Sequence, residues 1–291
     1  MENENEYLRV LARIAAEGEH RADRTGTGTV GIFGEQMTFD LAGTVPLLTT
    51  KAVPWRSCVR ELLWFCRGET DAGVLAAQGV RIWDANASRA ALDARGLGRL
   101  PEGDVGASYG WQWRRSGAPY VDCRTPPPPG AGVDQLEEVL RLLRTDPWSR
   151  RIVMSSWVPS DLASTALPPC HVLAQFHVDG RRGLSCHMYQ RSCDFFLGVP
   201  WNIASYGVLT HVLAKKAGLT ARRLIVSCGD AHIYNDHLDQ VREQLSRTPY
   251  DGPGFSVLDA AADKDWSELT VADFEVTDYE HHPAIRAPMS A

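Results

Sequence analysis

The residues best placed for chemistry lie on two short stretches, Leu167-Pro168-Pro169-Cys170-His171 and Gln190-Arg191-Ser192-Cys193-Asp194. Two prolines fix the approach to Cys170, and a strand-like run follows it at once. A thiolate attacks carbon better than any other side chain available near neutral pH. It must first lose its proton, and a neighbouring guanidinium lowers the pKa of a thiol. Arg191 is the leading candidate for that task. His171 has two readings, a satisfied strand-end histidine or a proton-transfer group, and the residues alone leave both open.

The elements around these stretches explain how they could meet. Val172, Ala174, Phe176 and Val178 alternate, Asp179-Gly180-Arg181-Arg182-Gly183 makes a turn, and Leu184, Cys186 and Met188 alternate back. That is a hairpin whose open end brings the Cys170 and Arg191 regions side by side. Upstream, residues 6–17 read as an amphipathic helix stopped by Gly18. Val30 to Leu41 reads as a strand whose inward parity slips, so a β-bulge is expected at Gly34. A helix follows Pro54, with Glu61 beside its apolar stripe, and Gly68 ends it. Thr70 is expected to cap a short helix through Ala77. Leu136, Val139, Leu140 and Leu143 mark another helix, and Arg150-Arg151 open the apolar run Ile152-Val153-Met154. A long apolar helix runs from Asn202 to about Ala217, with Asn202 a candidate N-cap. Arg223 to Val226 is a strand, and His232 and Tyr234 fall on one strand face. Leu238, Val241 and Leu245 share a helix face, and residues 252–280 read as late strands and loops.

Composition narrows the function classes. The chain has 291 residues, 44% of them hydrophobic, enough for a sizeable core. A net charge of −6 argues against a general nucleic-acid binder. No apolar run approaches the roughly 20 residues of a membrane helix, and the acidic start lacks the layout of a signal peptide. Seven cysteines, irregularly spaced, read as a reduced cytoplasmic set, with Cys58 and Cys66 as core residues. No His/Cys cluster has metal-ligand spacing. Residues 122–132, with prolines from Pro126 to Pro129, read as a surface insertion rather than a domain boundary.

The two opening stretches resemble the active-site signature of the folate-dependent thymidylate synthase family. The resemblance extends through Arg24-Thr25-Gly26-Thr27-Gly28-Thr29, Glu61-Leu62-Leu63-Trp64-Phe65, Ile82-Trp83-Asp84-Ala85-Asn86, Asn202-Ile203-Ala204-Ser205-Tyr206 and Gly229-Asp230-Ala231-His232-Ile233-Tyr234, in unbroken order. It implies an α/β (α+β) fold, one catalytic domain over residues 1–291 with a large mixed twisted sheet and flanking helices. It also implies a homodimer with shared active sites and sheets packed back to back.

It implies roles for residues as well. Arg24, Gln190, Arg191 and Ser192, with Arg150 and Arg151 of a second copy, would bind the nucleotide and its phosphate. Asn202 would read the pyrimidine, since an amide offers both a donor and an acceptor to uracil. His232 and Tyr234 would hold the sugar. Cys170 would add to C6, and Glu61 and Tyr109 would manage protons with ordered water. Asp194 is counted with the catalytic set. Lys51, Ile82, Trp83, Asn86, Asp194, Leu197, Gly198, Trp201 and Ala291 would frame methylene-tetrahydrofolate, the one-carbon donor. The products would be dTMP and dihydrofolate. Departures from the family pattern at Ala107, Ser108, Trp201, Gly207 and Ser290 keep an alternative in view, a pyrimidine nucleotide 5-hydroxymethylase in which water replaces hydride in the last step. A second alternative is a catalytically idle nucleotide- or RNA-binding module on the same fold.

Overall fold

In a computed structural model describing residues 2–23 and 25–289, six strands form one sheet in the order β1-β2-β6-β5-β4-β3. The first helix, α1 (Glu2–Glu17), lays Tyr7, Val10, Leu11 and Ile14, all fully buried, against β2 (Thr29–Asp40). It begins four residues earlier than the apolar spacing indicated, because Glu4 is drawn in as a buried acceptor for the backbone and hydroxyl groups of Thr49 and Thr50. Strand β1 (Glu19–Arg21) pairs with β2 at the sheet edge. Helix α2 (Trp55–Cys66) follows Pro54, and Gly68 takes the left-handed φ of +73° that ends it. The short helices α3 (Ala72–Ala77) and α4 (Arg89–Ala94) are each capped by a side chain. The cap of α3 is Asp71, which accepts from Gly73 N–H, and not Thr70 as expected. The Thr70 hydroxyl is instead hydrogen-bonded to the Tyr120 hydroxyl.

Helices α5 (Tyr109–Arg115) and α6 (Gln135–Thr145) bracket residues 122–132, which are turns and irregular chain, mostly exposed. Strand β3 (Val153–Ser155) joins the hairpin of β4 (His171–Val178) and β5 (Gly183–Asp194). Helix α7 (Gly198–Ala217) then crosses to β6 (Thr220–Tyr234), which runs parallel to β5. A parallel pair needs such a crossover, and α7 is buried along most of its length, as its continuous apolar run requires. It starts at Gly198, four residues before Asn202, so Asn202 lies a turn inside the helix and is not its cap. Asp194 takes that role, accepting from the N–H groups of Phe196, Leu197 and Gly198 at 3.1, 3.2 and 3.3 Å. Helix α8 (Leu238–Leu245) and the hairpin β7 (Gly254–Val257) and β8 (Phe274–Thr277) complete the chain.

The parity slip at Gly34 is present, but it is not an ordinary bulge. Val30 is buried before it, and Met37 and Phe39 after it, with Gly34 at φ +82°. The register against β6 nonetheless stays constant from Thr29↔Tyr234 to Asp40↔Arg223. The reason is that β6 changes phase at the facing residue, Gly229, where burial passes from Leu224, Val226 and Cys228 to Ala231 and Ile233. β5 changes phase in the same row, at Arg191. Three strands kink together, so neither β2–β6 nor β5–β6 loses register at this row; the β5–β6 pair shifts only far from it, between Leu184 and Ser185. Between β4 and β5 the register does shift, at Val172.

Candidate active site

The row of kinks opens onto a cavity of about 1040 Å³. Cys170 stands at the mouth of the β4–β5 hairpin, where Arg191 N–H donates to its carbonyl at 2.8 Å. The prolines have a direct use here. The Arg191 guanidinium donates from Nε to Pro169 O and from Nη2 to Pro168 O, both at 2.8 Å, and lies 5.1 Å from the Trp157 ring centre. The half-buried Cys170 has its own N–H bound to the Tyr109 hydroxyl oxygen at 2.6 Å. Arg191 was expected to lower the thiol pKa. Its charge does pull that way, but burial outweighs it, and the thiol sits above its ordinary value.

On the same cavity wall, Glu61 is buried on α2. Trp83 Nε1 donates to one carboxylate oxygen at 2.7 Å and Trp201 Nε1 to the other at 2.5 Å. Burial pushes the Glu61 carboxyl up to about 7, against the pull of both indoles. Tyr109 stacks on His171, ring centres 3.9 Å apart. His171 Nδ1 bonds the Tyr206 hydroxyl at 2.9 Å, and burial pushes its pKa down to about 3. Burial thus favours the neutral imidazole, which lies between Tyr109 and Tyr206 at the cavity wall.

Asn202, one turn into α7, points its Oδ1 at Gln190 Nε2, 3.0 Å away, and Gln190 also donates to Ser192 O. Asp230 ties the β6 end together, accepting from Arg21 at 3.0 Å and lying 3.0 Å from His232 Nδ1. His232 and Tyr234 meet edge to face at 5.3 Å. On the far side, the buried Lys51 bonds Phe196 O and lies 3.5 Å from the Phe196 ring centre, and burial brings its pKa down to about 7.

The cavity wall thus gathers Cys170, Glu61, Tyr109, Gln190, Arg191, Ser192, Asp194, Asn202, His232 and Tyr234. It also holds Lys51, Ile82, Trp83, Asn86, Leu197, Gly198 and Trp201. Arg150 and Arg151 are not on it; both are exposed on the loop before β3. The positions of Arg24 and Ala291, with Ser290, lie outside the described residues. Sequence reasoning missed Arg21, Arg95 and Ile285, which also line the cavity. Arg21 could have been found from its place on the edge strand next to β2; Arg95, at the C-terminal end of α4, carries no such signal. Three departures do not touch the cavity as expected. Ala107 and Ser108 are buried in the loop before α5, rather than soft and solvated. Gly207 packs on Val45 and Pro46.

A reachable thiol, a buried carboxylate, an amide and a wall of flat apolar rings suit an enzyme of the group-transfer class. The chain belongs to the thymidylate synthase family: the family described as thymidylate synthase matches residues 5–291. It is 47% identical to the thymidylate synthase of Saccharomyces cerevisiae over 297 residues, covering 99% of this chain and 97% of that protein. It is 49% identical to that of Human herpesvirus 8 over 288 residues, covering 99% and 84%. Against the bifunctional dihydrofolate reductase-thymidylate synthase of Paramecium tetraurelia, 47% identity extends over 99% of this chain but only 61% of that protein. These relatives do not favour the hydroxymethylase alternative.

Proposed function

We infer that this protein is a thymidylate synthase, converting dUMP and methylene-tetrahydrofolate to dTMP and dihydrofolate. The observation that carries the reading is the convergence of Cys170, Glu61 and Asn202 on one cavity in a chain that matches the family almost end to end. Cys170 adds through sulfur to C6 of the pyrimidine, and the electron pair moves toward C5 and O4. Asn202, its Oδ1 already accepting from Gln190, keeps its amide N–H₂ for the O4 side. The Arg191 charge pulls the thiol toward its reactive thiolate form. C5 then takes the one-carbon unit as a methylene, and the C5 proton is lost as tetrahydrofolate leaves. Hydride from that tetrahydrofolate reduces the exocyclic methylene to methyl while the Cys170–C6 bond breaks, giving dTMP and dihydrofolate. Glu61, poised near neutrality, accepts and returns protons at the base. His232 and Tyr234 face the sugar, and the rings of Trp83 and Trp201 with Ile82, Asn86, Leu197 and Gly198 face the folate.

The enzyme is one catalytic domain and works as a homodimer. Support for the dimer comes from the sheet face opposite α1, where Phe33 is 81% exposed with Val153, Leu173 and Tyr189 also out. An apolar sheet face of this kind is an expected interface. Arg150 and Arg151, remote from their own cavity, would serve the partner's phosphate site. All seven cysteines are free thiols, which suits a reducing cytoplasm. No helix among the described residues is long and apolar enough to cross a membrane.

Mass spectrometry of products from dUMP, UMP, dCMP and CMP, each with methylene-tetrahydrofolate, tests the reading. A methyl group on dUMP alone, with one dihydrofolate per turnover, is expected. A 5-hydroxymethyl product with tetrahydrofolate, or no product from any of the four, would refute it.

A further inference from the structure

The bond between Trp201 and Glu61 carries a role beyond that of a cavity wall. Glu61 reaches the cavity from α2, Trp83 comes from the chain between α3 and α4, and Trp201 sits in the first turn of α7. A carboxylate has two oxygens and about four lone-pair sites. Here each oxygen takes one indole N–H, from separate elements. Rotation of the carboxylate would break both bonds at once. One lone pair on each oxygen remains free for the base or for water. A phenylalanine at 201 would fill much of the same space but would leave Oε2 with no donor among the described residues.

We propose that Trp201 is a positioning residue for Glu61: its indole N–H is the second jaw of a clamp that fixes which face of the carboxylate meets the bound base. The proposal deepens the thymidylate synthase reading and rests on Glu61 handling protons in it. The clamp also bears on ionisation, since a donor to a carboxylate favours its charged form. The titratable groups that feel Glu61 are Cys58 on its own helix and Tyr109 on α5, both kept neutral by burial. Lys51, Cys170, His171 and Asp194 share the cavity. Losing one indole donor therefore moves the Glu61 pKa upward, by about one pH unit for one charge-assisted bond.

The test uses the full-length protein as wild type, Trp201→Phe and Glu61→Gln. Infrared spectra titrated with pH, each form minus Glu61→Gln, follow the Glu61 carboxyl band without any turnover. The pH profile of kcat/KM for tritium release from 5-labelled dUMP follows the chemistry. The expected result is an infrared midpoint near 7 in wild type. In Trp201→Phe it rises by about one pH unit, with the matching limb of the kcat/KM profile moving equally. An unmoved midpoint overturns the clamp, whatever happens to the KM for folate, and leaves Trp201 as wall alone. If wild type releases no tritium, the enzymatic reading falls while the infrared comparison still decides the clamp. Should Trp201→Phe not fold, benzothienylalanine at 201, which keeps the fused ring and lacks the N–H, makes the same comparison.

Discussion

Glu61→Gln separates the stability cost of the site from its chemistry. Burial lifts the Glu61 carboxyl from 4.5 to about 7, so the folded chain binds that proton more tightly than the unfolded chain. Stability from this source is fully present below pH 4.5 and is lost as pH rises through 7. The displacement between those two values, at roughly 1.4 kcal/mol per pH unit, comes to about 3 kcal/mol. Glutamine does not titrate. It brings a separate, pH-independent cost, because its NH₂ must face one of the two indole N–H groups, a donor against a donor worth about 1–3 kcal/mol. The difference between wild type and Glu61→Gln therefore has an offset and a slope, and only the slope reports burial of the charge. Urea unfolding at fixed protein concentration, at pH 5, 6, 7 and 8, measures both. The expected result is a variant less stable than wild type at pH 5 that gains about 2.5 kcal/mol on it by pH 8. A difference that stays flat across this range would refute the buried, proton-sharing Glu61.

Three further substitutions probe other parts of the site and its frame. Cys170→Ser should reduce tritium release from dUMP by at least about a thousandfold while leaving nucleotide affinity by calorimetry within about threefold. Tyr206→Phe strands the buried His171 Nδ1 and should cost about 1–3 kcal/mol in denaturant unfolding. In Gly207→Ala the new Cβ would meet Pro46 Cδ at 2.8 Å and Val45 Cγ2 at 2.9 Å. That overpacking should cost about 1–3 kcal/mol, read by thermal unfolding, with kcat unchanged because the contact lies away from the cavity.

Much of this was legible in the chain because local chemistry and tertiary demand agreed. The Val172–Met188 alternation and its turn gave the hairpin, and the hairpin alone placed Cys170 beside Arg191. The stripe Trp55, Val59, Leu62 and Cys66 gave α2 with Glu61 beside it, but only the family resemblance, not the stripe, implied that Glu61 is buried. What failed to show depended on partners distant in sequence. Asp71 rather than Thr70 caps α3 because Thr70 is already engaged by Tyr120, fifty residues away. Asn202 reads as a cap only while Asp194 is unseen, and Asp194 reaches the start of α7 across the β5–α7 turn. The thiol pKa went the other way for the same reason: the cation was visible in sequence, and the depth of burial was not.

The row of kinks ties these particulars to function. A regular strand presents one parity to one side along its whole length. A sheet built of such strands could pack a core or face a partner, but it would carry that choice into the active site. Here Gly34, Arg191 and Gly229 change phase side by side, so β2, β6 and β5 keep their hydrogen-bonded register through the row. Before the row, Cys186, Met188, Leu224 and Val226 are core residues. Beyond it, Cys193, Ala231 and Ile233 take over the buried positions, and Ser192, Asp194, Asp230, His232 and Tyr234 line the cavity. The kink is affordable because Gly34 accepts a positive φ, and because a Cβ at Gly229 would lie 2.8 Å from the Tyr189 hydroxyl and 3.1 Å from Arg191 O. The two glycines and the arginine between the core and the cavity are therefore one device: they let a single sheet pack at one end and bind at the other.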